Sequence, residues 1–120
     1  AQILKNNGLV QTEKPHFKPY RKGINSIRDS TAPQIRERIQ QDPGFGKVVC
    51  RCENVSEAEI VDAIQRGAST LDGVKFRTRA GMGRCQGNFC GPKSAGILAR
   101  ELDQPLEKIT KKGPGSHYTI

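Results

Sequence analysis

Lys47-Val48-Val49-Cys50-Arg51-Cys52-Glu53-Asn54-Val55-Ser56-Glu57-Ala58-Glu59-Ile60 is the stretch on which the fold turns. Lys47 to Cys50 reads as a short, buried, β-prone run, and it delivers two cysteines separated by a single residue. Ser56 followed three residues later by Glu59 has the form of a capping box, in which hydroxyl and carboxylate each satisfy a backbone N–H left open at a helix start. Ile60, Val61 and Ile64 put an apolar stripe on the helix so begun, and Gly67 closes it.

Working toward the C-terminus, Thr70 or Ser69 opens a second helix with Leu71, Val74 and Thr78 on one face, and Gly81 and Gly83 break it. A second cysteine pair, Cys85-x4-Cys90, stands in a glycine-rich loop. A third helix is expected from about Pro92, with Ala95, Leu98, Ala99 and Leu102 at helical spacing. A short helical turn over Pro105 to Ile109 follows, then a polar tail over 111–120. Working toward the N-terminus, Thr31 caps a short helix with Pro33 in its first turn and Ile35 and Ile39 on one face. Asp42-Pro43-Gly44 ends it. Thr12 to Lys22 is too polar and proline-broken for a core element and reads as linker. Ala1 to Asn6 reads as the end of a helix stopped by Asn7 and Gly8, as though cut from a longer protein.

The expected organisation is thus a linker over 1–30, a short helix and connector over 31–45, a compact domain over 46–110 and the tail. The fold class is mainly α: a small domain of short helices around a four-cysteine site, with an extended N-terminal linker. Composition supports this. The chain has 120 residues, 34% hydrophobic and 5% aromatic, with no Trp, 13 Gly and 7 Pro. So little apolar material excludes a doubly wound sheet or barrel enzyme, because small domains bury a lower fraction of their surface. Something must supplement the core, and the cysteines are the candidates.

Twenty Lys and Arg against twelve Asp and Glu leave a net charge of +8, which admits nucleic acid, an acidic partner or an internal anion. No apolar run approaches the roughly 18 residues that span a bilayer, and no N-terminal stretch has the apolar core of a secretory signal. The expected location is cytoplasmic. In a reducing compartment paired cysteines are more often metal ligands than disulfides.

Cys50-x-Cys52 and Cys85-x4-Cys90, each read as lying in a loop before a helix, point to one metal centre. Structural zinc sites usually space their ligand pairs by about two to four residues; one intervening residue is tight for that habit, and four thiolates around an iron–sulfur cluster suit the pattern better. Two disulfides and a four-thiolate zinc module remain the competing readings. A buried anionic cluster needs donors and positive fields. The helix starts after Cys52 and Cys90 are expected to face the sulfurs with their free N–H groups, and Gly81, Gly83, Gly87 and Gly91 to allow close N–H···S approach. Lys75, Arg77, Arg79 and Arg84 form a basic run with no acid between them, either a solvated helix face or an electrostatic counterweight and docking surface. His16 and His117 lack ligand-spaced partners and are expected at the surface. No Ser–His–Asp or paired-carboxylate arrangement can be assembled, so the chain by itself is expected to be non-catalytic.

Val49-Cys50-Arg51-Cys52-Glu53, then Glu59-Ile60, then Thr78-Arg79-Ala80-Gly81-Met82-Gly83-Arg84-Cys85-Gln86-Gly87-Asn88-Phe89-Cys90 resembles the bacterioferritin-associated-ferredoxin-like (BFD-like) 2Fe-2S domain. The resemblance is to the version at the C-terminus of flavin-dependent oxidoreductases of the anaerobic glycerol-3-phosphate dehydrogenase type, and it covers about residues 45–105. The stand-alone ferredoxin has two residues between its second pair of cysteines, so Cys85-x4-Cys90 departs from it toward the appended branch. The resemblance implies Cys50, Cys52, Cys85 and Cys90 as ligands of a 2Fe-2S cluster. It also implies FAD in an upstream domain of the same polypeptide, since no Gly-x-Gly-x-x-Gly fingerprint occurs here, and electron transfer between that flavin and an acceptor subunit. The alternatives are a zinc module contacting nucleic acid and a structural or redox-sensing cluster. Nucleic acid is not the expected partner, because Phe17, Tyr20, Phe45, Phe76, Phe89 and Tyr118 are dispersed rather than grouped for base stacking.

Overall fold

The computed structural model describes residues 6–8 and 15–119. The expected helix end over Ala1 to Lys5 and the first linker residues, Thr12 to Lys14, lie outside the described residues. The elements are α1 (Ala32–Gln41), a 3-10 turn (Pro43–Gly46), β1 (Val48–Cys50), β2 (Val55–Ser56), α2 (Glu57–Gln65), α3 (Leu71–Thr78), α4 (Cys90–Glu101) and a 3-10 turn (Leu106–Lys108). The fold is mainly α, as the sequence pattern requires. The one sheet among the described residues is the antiparallel β1–β2 pair, which aligns Val48 with Ser56 and Cys50 with Val55 across an irregular register. That irregularity makes room for the turn carrying Cys52, where Asn54 takes the left-handed conformation at φ +51°.

The α2 start is built as its sequence indicates. Ser56 donates its backbone N–H and its hydroxyl to the Glu59 carboxylate, at 2.8 and 2.6 Å, and accepts the Glu59 N–H in return. Glu57 N–H is taken by the Lys47 carbonyl. Ser56 and Glu59 are both buried, so the box seals the helix end rather than decorating it. Ile60 and Ala63 then face inward beside Val74 of α3 and Ala95 and Leu98 of α4, and α2 packs on both helices. Arg100 near the C-terminus of α4 pairs with Glu57 at 2.8 Å and ties that end of α4 to the start of α2.

Three local expectations are corrected. The break after α3 comes at Arg79, not at Gly81 and Gly83: Arg79 takes φ +71° while its N–H closes on the Lys75 carbonyl. A non-glycine residue is disfavoured there, and its guanidinium, bonded to Glu53 at 2.8 Å, offsets the strain. The third helix begins at Cys90 itself rather than near Pro92, with Phe89 as its N-cap. Residues 111–119 do not trail away. Thr110 pairs with His117 in an isolated bridge, the carbonyls of Thr110 and Lys111 accept the first N–H groups of α3, and Lys111 pairs with Asp72 at 2.9 Å. Ile109, at the root of this return, is buried.

The incoming segment also packs onto the domain. Ile27 is buried, Arg66 at the C-terminal cap of α2 holds the carbonyls of Lys22 and Gly23, and Arg28 reaches the cysteine turn. Residues 17–25, by contrast, carry no regular structure.

Leu98 is fully enclosed, so Leu98→Ala is expected to lower the unfolding free energy by about 3 kcal/mol. Glu59→Ala, which strands the buried Ser56 donors, should cost about 2 kcal/mol. Urea unfolding of the two variants, with Ile39→Ala on exposed α1 as the near-neutral control, checks both figures.

Candidate metal centre

Two loops from distant parts of the chain supply the thiols. The β1–β2 turn carries Cys50 at its start and Cys52 at its apex; the loop from Arg79 to Phe89 carries Cys85 and ends at Cys90 in the first turn of α4. All four line one open cleft of about 590 Å³, and none is in a disulfide. Within it they stand as two pairs. Cys52 Sγ and Cys85 Sγ are 3.7 Å apart on the outer side, where Cys52 is exposed. Cys50 and Cys90, both buried, interact on the inner side. Each pair takes one member from each loop.

The backbone around the sulfurs explains how the loops come so close. Gly83 lies against Cys52: a Cβ at residue 83 would overlap the Cys52 Cβ and stand 3.4 Å from its Cα. Cys85 accepts backbone N–H groups from Phe89, Gly87 and Asn88, and these donors are the main reason that its thiol pKa is lowered. Burial pushes the Cys90 thiol up to about 11, and the neighbouring Cys50 and, less strongly, Cys85 add to the effect, against one N–H donated by Gly81. The expectation of amide donors is therefore met at Gly81 and Gly87. It fails at α2, whose first amides are spent on the capping box and on Lys47. It also fails at Gly91, whose N–H donates to the Gly87 carbonyl instead.

Sequence reasoning passed over one residue. Glu53, beside Cys52, is a three-way node: its carboxylate bonds Arg79 at 2.8 Å and Arg28 at 2.7 Å, and its carbonyl takes two further bonds from Arg28. The Arg79 hydrogen bond chiefly lowers its pKa. One carboxylate thus joins the first cysteine turn, the loop leading to the second pair and the incoming segment. The excess of arginine on nearby loops was the available signal; which acid they shared was not visible without coordinates. The basic run is dispersed as well. Arg79 belongs to this node, Arg77 bonds the Gly73 carbonyl on its own helix, and Arg84 lines the thiol cleft. His16 and His117 are exposed.

The residues fit a two-iron, two-sulfur group. Such a core needs two thiolate pairs, whereas a single zinc ion needs four mutually adjacent ligands. Among the described residues no three His, Cys, Asp or Glu side chains converge on one ion position. Two pairs in one cleft, with N–H groups turned to the sulfurs, is the former arrangement.

Comparison with known proteins agrees. Residues 48–100 match the family described as the BFD-like 2Fe-2S binding domain. This segment belongs to that family. A glycerol 3-phosphate dehydrogenase of Caloramator mitchellensis is 47% identical over 117 residues, 96% of this chain and 24% of that protein. Anaerobic glycerol-3-phosphate dehydrogenase subunit A1 of Haloferax volcanii is 40% identical over 75 residues, 62% of this chain and 12% of that one. Hydrogen cyanide synthase subunit HcnB of Pseudomonas aeruginosa is 40% identical over 74 residues, 62% and 15%. The chain thus spans a quarter or less of the length of these curated relatives. No solved structure matches it significantly. The family so matched is a 2Fe-2S binding domain, and it occupies residues 48–100 of this chain.

Gly83→Ala should all but abolish cluster uptake, read as iron content and visible absorption after anaerobic reconstitution, because the added methyl displaces the Cys52 turn. In the metal-free chain the thiols should differ in the pH at which they alkylate. A lowered pKa gives thiolate at lower pH, so Cys85 should react at lower pH than Cys90, which stays protonated until pH nears about 11; mass mapping of iodoacetamide adducts across pH checks the order of these two.

Proposed function

We propose that Cys50, Cys52, Cys85 and Cys90 hold a 2Fe-2S cluster, and that the chain is the electron-transfer part of a flavin-dependent oxidoreductase of the glycerol-3-phosphate dehydrogenase kind. The observation that carries the assignment is the convergence of four thiols, as two pairs, in one cleft of a 2Fe-2S family domain. The names borne by the relatives support the oxidoreductase and its substrate class. In this reading an upstream domain of the same polypeptide binds FAD, takes two electrons from substrate and releases them singly through this module to an acceptor subunit in the cytoplasm. No helix among the described residues is long and apolar enough to cross a membrane.

When bound, the cluster supplies a one-electron couple; the protein sets where that couple sits and how readily it is reduced. Cys50 and Cys90 anchor it inside the domain, and Cys52 and Cys85 hold its outer side toward solvent. The N–H donors from Gly81, Gly87, Asn88 and Phe89 favour the more negative, reduced charge state, as do cations nearby, while burial of the inner pair opposes it. The Glu53 node keeps the two ligand loops in register. It also fixes Arg28 against the domain, as Arg66 fixes Lys22 and Gly23, which gives a preceding domain a defined point of attachment.

Anaerobically reconstituted protein should be red-brown, contain two irons per chain and show an EPR signal on reduction; a colourless protein carrying one zinc overturns the reading. Each single Cys→Ser substitution at the four positions should weaken or abolish incorporation, and a normal cluster in Cys90→Ser removes that residue from the ligand set. Glu53→Gln, which lengthens no side chain but loses the charge shared by Arg28 and Arg79, should speed iron loss to a chelator several-fold.

A further inference from the structure

The thiol cleft has a one-sided electrostatic lining. Arg51, Arg84 and Lys93 contribute to it, all three are exposed, and no Asp or Glu does. Several other cations are matched: Arg28 and Arg79 share Glu53, Lys47 holds Glu57, Arg66 holds Asp62, Arg100 holds Glu57 and Glu101, and Lys111 holds Asp72. Among the described residues Arg51, Arg84 and Lys93 form no ion pair. Glu53, the nearest acid in sequence to Arg51, is already engaged by two arginines. Beside these cations Phe89, immediately before Cys90, is 77% exposed. The outer thiol pair opens in the same cleft.

We propose that Arg51, Arg84, Lys93 and Phe89 form the landing surface for a separate electron-carrier protein whose own redox centre is framed by carboxylates. This rests on the electron-transfer reading above and adds the chemistry of the partner. Clefts lined by one sign of charge focus field lines and raise encounter rates of oppositely charged partners. That gain matters for a partner arriving by diffusion; a domain tethered in the same polypeptide is already held at high effective concentration and needs no steering. An exposed aromatic among cations is the usual form of an anchor within a small, transient interface. A nucleic acid is the poorer occupant, because three cations around a concave, thiol-lined cleft do not make the run of phosphate contacts on which such binding depends. In the step so assisted, one electron leaves the reduced centre on the side of Cys52 and Cys85 and reduces the partner's oxidised group.

The test uses the full chain, reconstituted and reduced, in stopped-flow mixing with an acidic and a basic ferric cytochrome of similar potential. The acidic cytochrome should be reduced faster, with its advantage shrinking roughly tenfold as ionic strength rises from about 10 mM to about 500 mM. The triple variant Arg51→Gln/Arg84→Gln/Lys93→Gln should lose that advantage, whereas Arg36→Gln/Lys108→Gln/Lys112→Gln, equally depleted in exposed charge, should keep most of it. Phe89→Ser should slow the acidic cytochrome without changing its salt dependence. In the metal-free chain, the thiols should react faster with a dianionic aromatic disulfide than with a neutral one. The ratio, which cancels thiolate fraction, should fall in the cleft variant only. Equal rates for the two cytochromes, or a preference that survives the cleft variant, overturns the surface while leaving a reducible cluster in evidence. Low-salt binding to duplex DNA that the cleft variant abolishes also overturns it. A chain that takes up no reducible cluster removes the electron-transfer reading, and this inference with it.

Discussion

Four sulfur atoms have to reach one cleft from two loops whose nearest cysteines, Cys52 and Cys85, are 33 residues apart, and the backbone beside them has to come almost into contact. The closest point is Gly83 against Cys52, where even a methyl group has no room. Much of the surrounding structure serves that approach. The irregular β1–β2 register projects Cys52 outward, the left-handed turn at Arg79 redirects the chain after α3, and Gly87 to Phe89 fold around Cys85 so that their N–H groups meet its sulfur. A centre held in this way is a long-range contact, which local helix formation alone cannot secure.

The helices supply the rigid frame. α2 and α4 are locked at one end by Arg100 and Glu57, and in the interior by Ile60, Ala63, Ala95 and Leu98. Because α2 starts seven residues after Cys50 and α4 starts at Cys90, each helix carries a cysteine loop at its N-terminal end. The buried Ser56–Glu59 box fixes the first of these ends, and the tail returning over α3 fixes the start of that helix from the other side. The module is small and poor in aromatics, so charged contacts such as the Glu53 node take over positioning work that a larger core would do.

Division of the thiols into an inner and an outer pair connects the frame to function. The inner pair is sheltered by the core, and burial raises the Cys90 pKa. The outer pair lies where Arg51, Arg84 and Lys93 set the local potential. A centre anchored on one side and open on the other suits transfer across a protein surface, and that is the property on which both proposals above depend.

Much of this was legible in the residues alone. The mainly α class, the capping box at Ser56 and Glu59, the apolar faces of α2 and α4 and the choice of the four cysteines as candidate ligands follow from local periodicity and from thiol chemistry, which operate over a few residues and survive in a linear string. The pairing of Cys52 with Cys85 and of Cys50 with Cys90, the sharing of Glu53 by Arg28 and Arg79, the helical start at Cys90 and the closure of α3 by the C-terminal return were decided only by the folded chain. These are contacts between segments distant in sequence. Which of many arginines meets a given carboxylate, and which amide meets a given sulfur, depends on how the helices pack and not on any neighbour along the chain.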